Sequence, residues 1–240
     1  MTTTAADTPT RWWTPGRADW QVAALFAIGS TCFMLGAFPG YASLVGAVAD
    51  GVTYAVGSVF FTLAALLQFL ISVGAIRPDQ RPRAGVRWRS RVREIGRPEW
   101  WAGVVQFAGT LLFNVSTFAA LNHELSLTQA NRRVWAPDLF GSIAFLVASG
   151  LAFADVDHPW VTWRPRDLGW AVATLNMVGS IAFGVSALVS RVIPTTGDLR
   201  NAALANLGTF VGAACFLAGS ILLIPDQQEI EGAAVVSPSG

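Results

Sequence analysis

Six long apolar stretches alternate with short polar ones along this chain. Residues 22–38, 52–76, 102–121, 139–153, 171–190 and 202–224 contain no Asp, Glu, Lys, Arg or His. At about 1.5 Å of rise per residue, roughly 20 helical residues cross a hydrocarbon core about 30 Å thick. Five of the six stretches approach or exceed that length. The fourth reaches it if its helix starts near Pro137, a first-turn position where a missing N–H is tolerated. The fold class these lengths predict is an all-α membrane protein with six transmembrane helices. A soluble bundle would need amphipathic surface helices, and almost none can be drawn.

Inside the apolar stretches one element recurs: Gly-[Ser/Thr]-x-x-Phe-x-x-small. Its copies begin at Gly29, Gly57, Gly109, Gly141, Gly179 and Gly208. The fifth place is Phe33, Phe61, Phe113, Phe145 and Phe183, and the last copy departs with Gly212. Positions i, i+4 and i+7 share one helix face, so each copy is a stripe of small, aromatic and small side chains. Small residues let membrane helices approach closely, which makes the six glycines helix-packing positions.

Trp20, Trp100 and Trp170 each stand nine residues before the stripe glycine of an odd-numbered helix, and even-numbered helices lack that mark. The repeating unit is therefore read as a two-helix hairpin, present in tandem at 18–78, 98–156 and 168–226. A basic loop at 79–97 and disordered tails at 1–17 and 227–240 complete the division. A two-span unit returns to its starting side, so the repeats are parallel. Both stripes of a hairpin overlap in the half of the membrane nearest its turn, where the glycines close the hairpin and the Phe rings fill the seam.

Charge adds orientation. All 16 basic residues are Arg. One side of a six-span chain carries Arg11, Arg17, eight arginines from Arg77 to Arg97, Arg164 and Arg166, whereas the other carries only Arg132, Arg133, Arg191 and Arg200. The positive-inside rule places both termini in the cytoplasm of a bacterial inner membrane. Nine of the ten tryptophans fall on that same side, with Trp135 opposite. The first span carries the stripe and exceeds signal-peptide length, so Ala47-Val48-Ala49 reads as part of the mature chain. Residues Arg81–Arg97 read as a contact for anionic lipid headgroups. A homo-oligomer is compatible with the surface, and nucleic acid is not an expected partner. Cys32 and Cys215, both inside spans, read as small apolar fillers.

Candidate chemistry is sparse. No span is expected to hold an ionisable residue, which argues against side-chain proton relays and voltage sensing. Asn114, Asn176, Asn206 and Gln106 remain as interhelical hydrogen-bonding groups or as a polar lining. His123-Glu124 and the Asp155, Asp157, His158 group read as hydrated loop residues rather than a metal site. Trp135-Ala136-Pro137-Asp138 reads as a helix entry, with Asp138 favouring the dipole and within reach of Arg132 and Arg133. No hydrolase, protease or nucleotide-binding motif is placed where it could act, so no cofactor and no enzyme activity are expected.

The segments GSTCFMLG, GSVFFTLA, GTLLFNVS, GSIAFLVA and GSIAFGVS resemble the YrhK-like family of small bacterial membrane proteins, here with the hairpin triplicated. That resemblance implies a membrane location and no particular activity. The function expected is that of a non-catalytic multi-pass membrane protein acting as a scaffold, stress or partner-binding component. The alternative is a channel or facilitator for a small neutral solute or ion. Asn114, Asn176 and Asn206 converging on a wet cavity would favour the latter.

Overall fold

The computed structural model describes residues 13–76, 98–156, 167–193 and 199–236, with backbone alone at 99, 155–156 and 225–236. The loop expected at 79–97 lies outside these residues. Among the described residues eight α-helices appear in chain order: α1 (Ala18–Gly36), α2 (Tyr41–Val45), α3 (Ala47–Ser72), α4 (Pro98–Ala120), α5 (Leu127–Ala130), α6 (Ala136–Val156), α7 (Leu168–Val189) and α8 (Ala202–Val236). No strand occurs among the described residues; Val192 and Leu199 form an isolated antiparallel bridge. Six spans are long and apolar enough to cross a membrane: Ala18–Gly36, Ala47–Ser72, Trp100–Ala120, Leu127–Ala154, Leu168–Val189 and Ala202–Ile224. Helix α8 continues to Val236, past the tail boundary expected after 226.

The surface supports the membrane reading. Val59, Leu63, Leu111, Val115, Ile143, Leu146, Ile181, Leu188, Leu207 and Ile221 face outward and are exposed, whereas Ser30, Ser58, Thr110, Ser142 and Ser180 are buried. Water would favour the reverse arrangement. Lipid accepts it, because apolar side chains are solvated there and all of these hydroxyls but that of Ser30 find partners inside.

The long helices form a closed ring. Helix α1 packs on α3, α4 on α6 and α7 on α8; α3 also packs on α4, α6 on α7 and α8 on α1. The stripe explains why. Successive helical residues are about 100° apart, so the fifth-place Phe lies about 40° from the glycine and the second-place residue about 100° from it. A helix in a ring touches two neighbours, with the axis between them. Glycine meets one neighbour, as at Gly29, where an added Cβ would lie 3.0 Å from the carbonyl oxygen of Gly57. The second-place residue meets the other neighbour, as Ser58 does when it hydrogen-bonds Asn114 Oδ1 across α3 and α4 at 2.6 Å. Phe, pointing between, reaches the axis.

There six rings meet. Phe33, Phe113 and Phe183, from α1, α4 and α7, have centroids 6.3, 6.1 and 6.1 Å apart. Phe61, Phe145 and Phe216, from α3, α6 and α8, form a second triangle with separations of 6.2, 6.0 and 5.7 Å. The triangles contact one another through Phe33–Phe61, Phe113–Phe145 and Phe183–Phe216 at 5.4, 5.2 and 5.7 Å. Toward the termini Val22, Phe26, Ala64 and Leu67 continue the buried core.

Two expectations are corrected. The sixth stripe is not Gly208-Thr209-Phe210-Val211-Gly212 but lies one turn later, at Gly212, Ala213, Phe216 and Gly219. A Cβ at Gly212 would stand 3.0 Å from the carbonyl of Gly179, and Ala213 is fully buried like the second-place residues elsewhere. The physical reason is that only this register puts an aromatic ring on the axis. Gly208 packs one turn away, where a Cβ would meet Ala182 O at 2.8 Å.

The second correction concerns the fourth span, which starts at Leu127 rather than near Pro137. A capping box begins it: Ser126 accepts from the Gln129 backbone N–H, and the Gln129 side chain accepts from that of Ser126. Pro137 is then interior. It lacks an N–H, and its ring would crowd the carbonyl four residues back. A π-helical turn, Asn131–Trp135, widens the helix immediately before it and absorbs the conflict.

Helix α7 offers a matched test of the close packing. A Cβ at Gly179 would lie 3.0 Å from two Phe216 ring atoms, whereas one at Gly184 meets nothing within 4 Å. Gly179→Ala is expected to lower stability by about 1–3 kcal/mol through overpacking. Gly184→Ala should be neutral or stabilising by up to about 1 kcal/mol, because alanine is the better helix former. Thermal melts of both variants in detergent check the contrast.

Candidate functional site

The axis opens into a cavity of about 450 Å³ at the end of the ring opposite the described termini. Its floor is the first triangle, Phe33, Phe113 and Phe183. Its walls include Tyr54, Asp138 and Thr209, each three residues before a stripe glycine (Gly57, Gly141 and Gly212), together with Ser116 and Ser186 at eighth places of their stripes. Loop residues Asn122, His123, Leu125, Val192 and Leu199 form the rim. Stripe and wall are thus one periodic device: the turn that follows the glycine supplies the plug, and the turn that precedes it in α3, α6 and α8 supplies the wall.

The three wall positions differ. In α3 the Tyr54 ring lies where a side chain at Gly36 would be; a Cβ there would come within 2.6 Å of the ring. In α8 Thr209 Oγ1 shares a hydrogen bond of 2.8 Å with Ser186 Oγ, which also donates to Ala205 O at 2.7 Å. In α6 the position is Asp138. Its carboxylate has no hydrogen bond or ion pair among the described residues, where the one ion pair is Arg17–Asp19. The expected approach of Arg132 and Arg133 to Asp138 does not occur. Both arginines belong to the exposed turn of Leu127–Ala154 and point away with Thr128 and Gln129, because the longer helix carries Asp138 into the ring. The expectation that no span holds an ionisable group is corrected on the same ground.

The π turn anchors this wall. Trp135, which lines the cavity, donates from Nε1 to Ala187 O at 2.8 Å, and Arg191 sits 5.2 Å from its ring centroid. The Asn131 amide donates to Val192 O at 2.9 Å and accepts from Val192 N–H at 3.1 Å. Ser116 Oγ donates to Val134 O at 2.9 Å, within the widened turn. The entry of α6 is therefore bolted to the exit of α7 and to α4.

The amides expected to share a lining are dispersed. Only Asn206 lines the cavity. Asn114 joins α3 and α4, accepting from Ser58 Oγ and donating to Thr62 Oγ1, each at 2.6 Å. Asn176 lies against Gly219, where a Cβ would be 3.2 Å from its Oδ1, and its carbonyl accepts from Ser149 Oγ at 3.3 Å. Gln106 is half-buried on α4, away from the cavity. Ser149 Oγ and Ser180 Oγ bond across α6 and α7 at 2.8 Å. Asp157 and His158 lie outside the described residues, as does the Asp155 side chain, and no group of three or more metal-ligating side chains occurs among the described residues.

Two features of the sequence mark the remaining wall residues. The Ser126-Leu-Thr-Gln129 capping box dates the start of the fourth span, and so the depth of Asp138. The offset of three before the glycine relates Tyr54, Asp138 and Thr209, but the third member emerges only in the corrected register of α8.

Loss of Asn114 in Asn114→Leu is expected to destabilise the protein by about 1–2 kcal/mol, since two interhelical hydrogen bonds go. Asn206→Leu, at an exposed position on the cavity wall, should leave the melting temperature within about 1 °C, as surface substitutions usually cost under about 0.5 kcal/mol. Melting curves of the two variants separate the roles. Comparison with protein-family models, characterised proteins and solved structures yields no match.

Proposed function

We propose that this multi-pass membrane protein is a non-catalytic binding component that holds a ligand or partner group in a chamber reached from one side. The observation that carries the reading is the closed axis: two layers of three Phe rings floor the cavity, and the buried core continues behind them. An open pore would need a continuous polar path, whereas Asn114 is spent on the α3–α4 seam and only Asn206 of the four amides lines the cavity. Catalysis by acid–base or metal chemistry would need a mutually bonded set of groups, whereas Asp138 makes no hydrogen bond or ion pair among the described residues and His123 stands at the rim.

Three tandem hairpins, derived from one ancestral unit, account for the two Phe triangles and for the identical offsets of the wall residues. Kinship with YrhK-like proteins rests on the five stripe segments. Arginine distribution supports an inner-membrane location with both termini cytoplasmic, which puts the chamber mouth outside. Arg81–Arg97 would then lie against anionic headgroups.

A facilitator is the second reading, favoured by one observation: a ring of apolar side chains stands at the base of a vestibule partly lined by polar groups, the arrangement of a hydrophobic gate. Flux in liposomes decides between them. Vesicles containing the parent protein should retain trapped ions and small neutral solutes as well as empty vesicles do. The double variant Phe33→Ala, Phe61→Ala, which removes one ring from each layer, should leak. Parent flux clearly above that of empty vesicles would displace the binding reading.

A further inference from the structure

We infer that the chamber is a binding site for a small organic cation of the quaternary ammonium type, held by Asp138 and the aromatic walls. The inference rests on the one-sided chamber just proposed and adds the ligand's chemistry. The charge comes from Asp138, a carboxylate in the chamber wall with no partner among the described residues. A carboxylate inside a largely apolar ring is costly to leave uncompensated, and a bound cation would supply the missing charge.

The surroundings narrow the class of cation. Five aromatic rings line the space, Phe33, Phe113 and Phe183 below with Tyr54 and Trp135 at the sides; Trp135 already meets the Arg191 guanidinium, which leaves four for a ligand. Aromatic faces attract cations whose hydration shell is weak, which describes alkylammonium groups better than metal ions. A divalent metal would ask for six or more oxygen ligands, and no group of metal-ligating side chains accompanies Asp138 among the described residues. The other ionisable lining groups, His123 at the rim and Tyr54, add no second carboxylate. A volume of about 450 Å³ is within the usual range of small-molecule pockets and admits a ligand of this kind entirely.

Two features preform the site. The π turn sets Trp135 and Asp138 on one wall, with Trp135 fixed through Ala187 O. The Tyr54 ring occupies the space left by Gly36, close to the Phe33 ring with centroids 5.5 Å apart.

The full-length protein in nanodiscs, titrated with choline and tetramethylammonium by calorimetry and by Trp fluorescence, provides the test. The neutral isostere of choline, 3,3-dimethylbutan-1-ol, and calcium serve as comparisons. At least one of the two cations is expected to bind saturably at one site, at least about tenfold tighter than the isostere, since the isostere keeps shape and loses charge. Asp138→Asn should reduce cation affinity at least about tenfold while leaving the isostere unchanged. The parent comparison stands even where that variant fails to fold. Equal affinity for cation and isostere, no binding of either cation, or displacement of the cation by calcium overturns the ligand class. Retention of choline by proteoliposomes together with absent binding would overturn the ligand and leave the closed axis intact. Escape of choline from the same vesicles would overturn the one-sided chamber whatever the affinity.

Discussion

Across each of three helix pairs the backbones meet at glycine. A Cβ added at Gly29, Gly57, Gly109, Gly141, Gly179 or Gly212 would come within 3.0 to 3.2 Å of a carbonyl oxygen on the facing helix. Lipid supplies no hydrophobic drive toward helix association, so close packing must hold the pairs together, and it needs small residues at the contact. That contact fixes the rotation of all six helices about their own axes. Rotation in turn decides what faces the centre. With glycine turned to one neighbour and a small or hydroxylated residue turned to the other, Phe is left facing the axis.

The same device gives the bundle its polarity. Second-place residues Ser30, Ser58, Thr110, Ser142, Ser180 and Ala213 are at most 1% exposed. Most of the hydroxyls find partners: Ser58 with Asn114 and Thr117, Ser180 with Ser149, and Thr110 with the carbonyl of Phe107. Ser30 Oγ, facing the seam where α8 contributes Ala213, is buried without a hydrogen bond. An unsatisfied hydroxyl costs about 1–3 kcal/mol, so the α1–α8 seam is the weakest in polar terms. It is also the seam that closes the ring. At the loop end the stripe gives out, the helices no longer carry Phe toward the axis, and the chamber occupies the space.

Much of this was legible in the residues, and the remainder failed for physical reasons. Six spans follow from charge-free lengths, and the packing role of glycine follows from helical spacing. The central position of Phe does not follow from the stripe alone, which is equally consistent with rings filling the seam of a single pair. It requires knowing that six helices close into one ring. In α8 Gly208-Thr209 fits the first two places of the stripe better than Gly212-Ala213, although only GAACFLAG places an aromatic four residues on. Asp138 was misread because Pro137 looks like a helix start. The π turn lets the helix tolerate Pro137, and that local widening depends on tertiary partners, Ser116 and Val192, which lie far away in sequence. Asn114 and Asn176 carry no mark that would separate a seam from a lining.

Cysteine accessibility from each face of the membrane tests the closed axis most directly. In a chain with Cys32→Ala and Cys215→Ala, Thr209→Cys places a thiol in the chamber wall, and Ala148→Cys places one beyond the Phe layers at a position 2% exposed. A membrane-impermeant maleimide should label the first from the loop face only and leave the second unlabelled from either face. Labelling of the thiol at 148, or of the thiol at 209 from both faces, would contradict a bundle sealed by six phenylalanines.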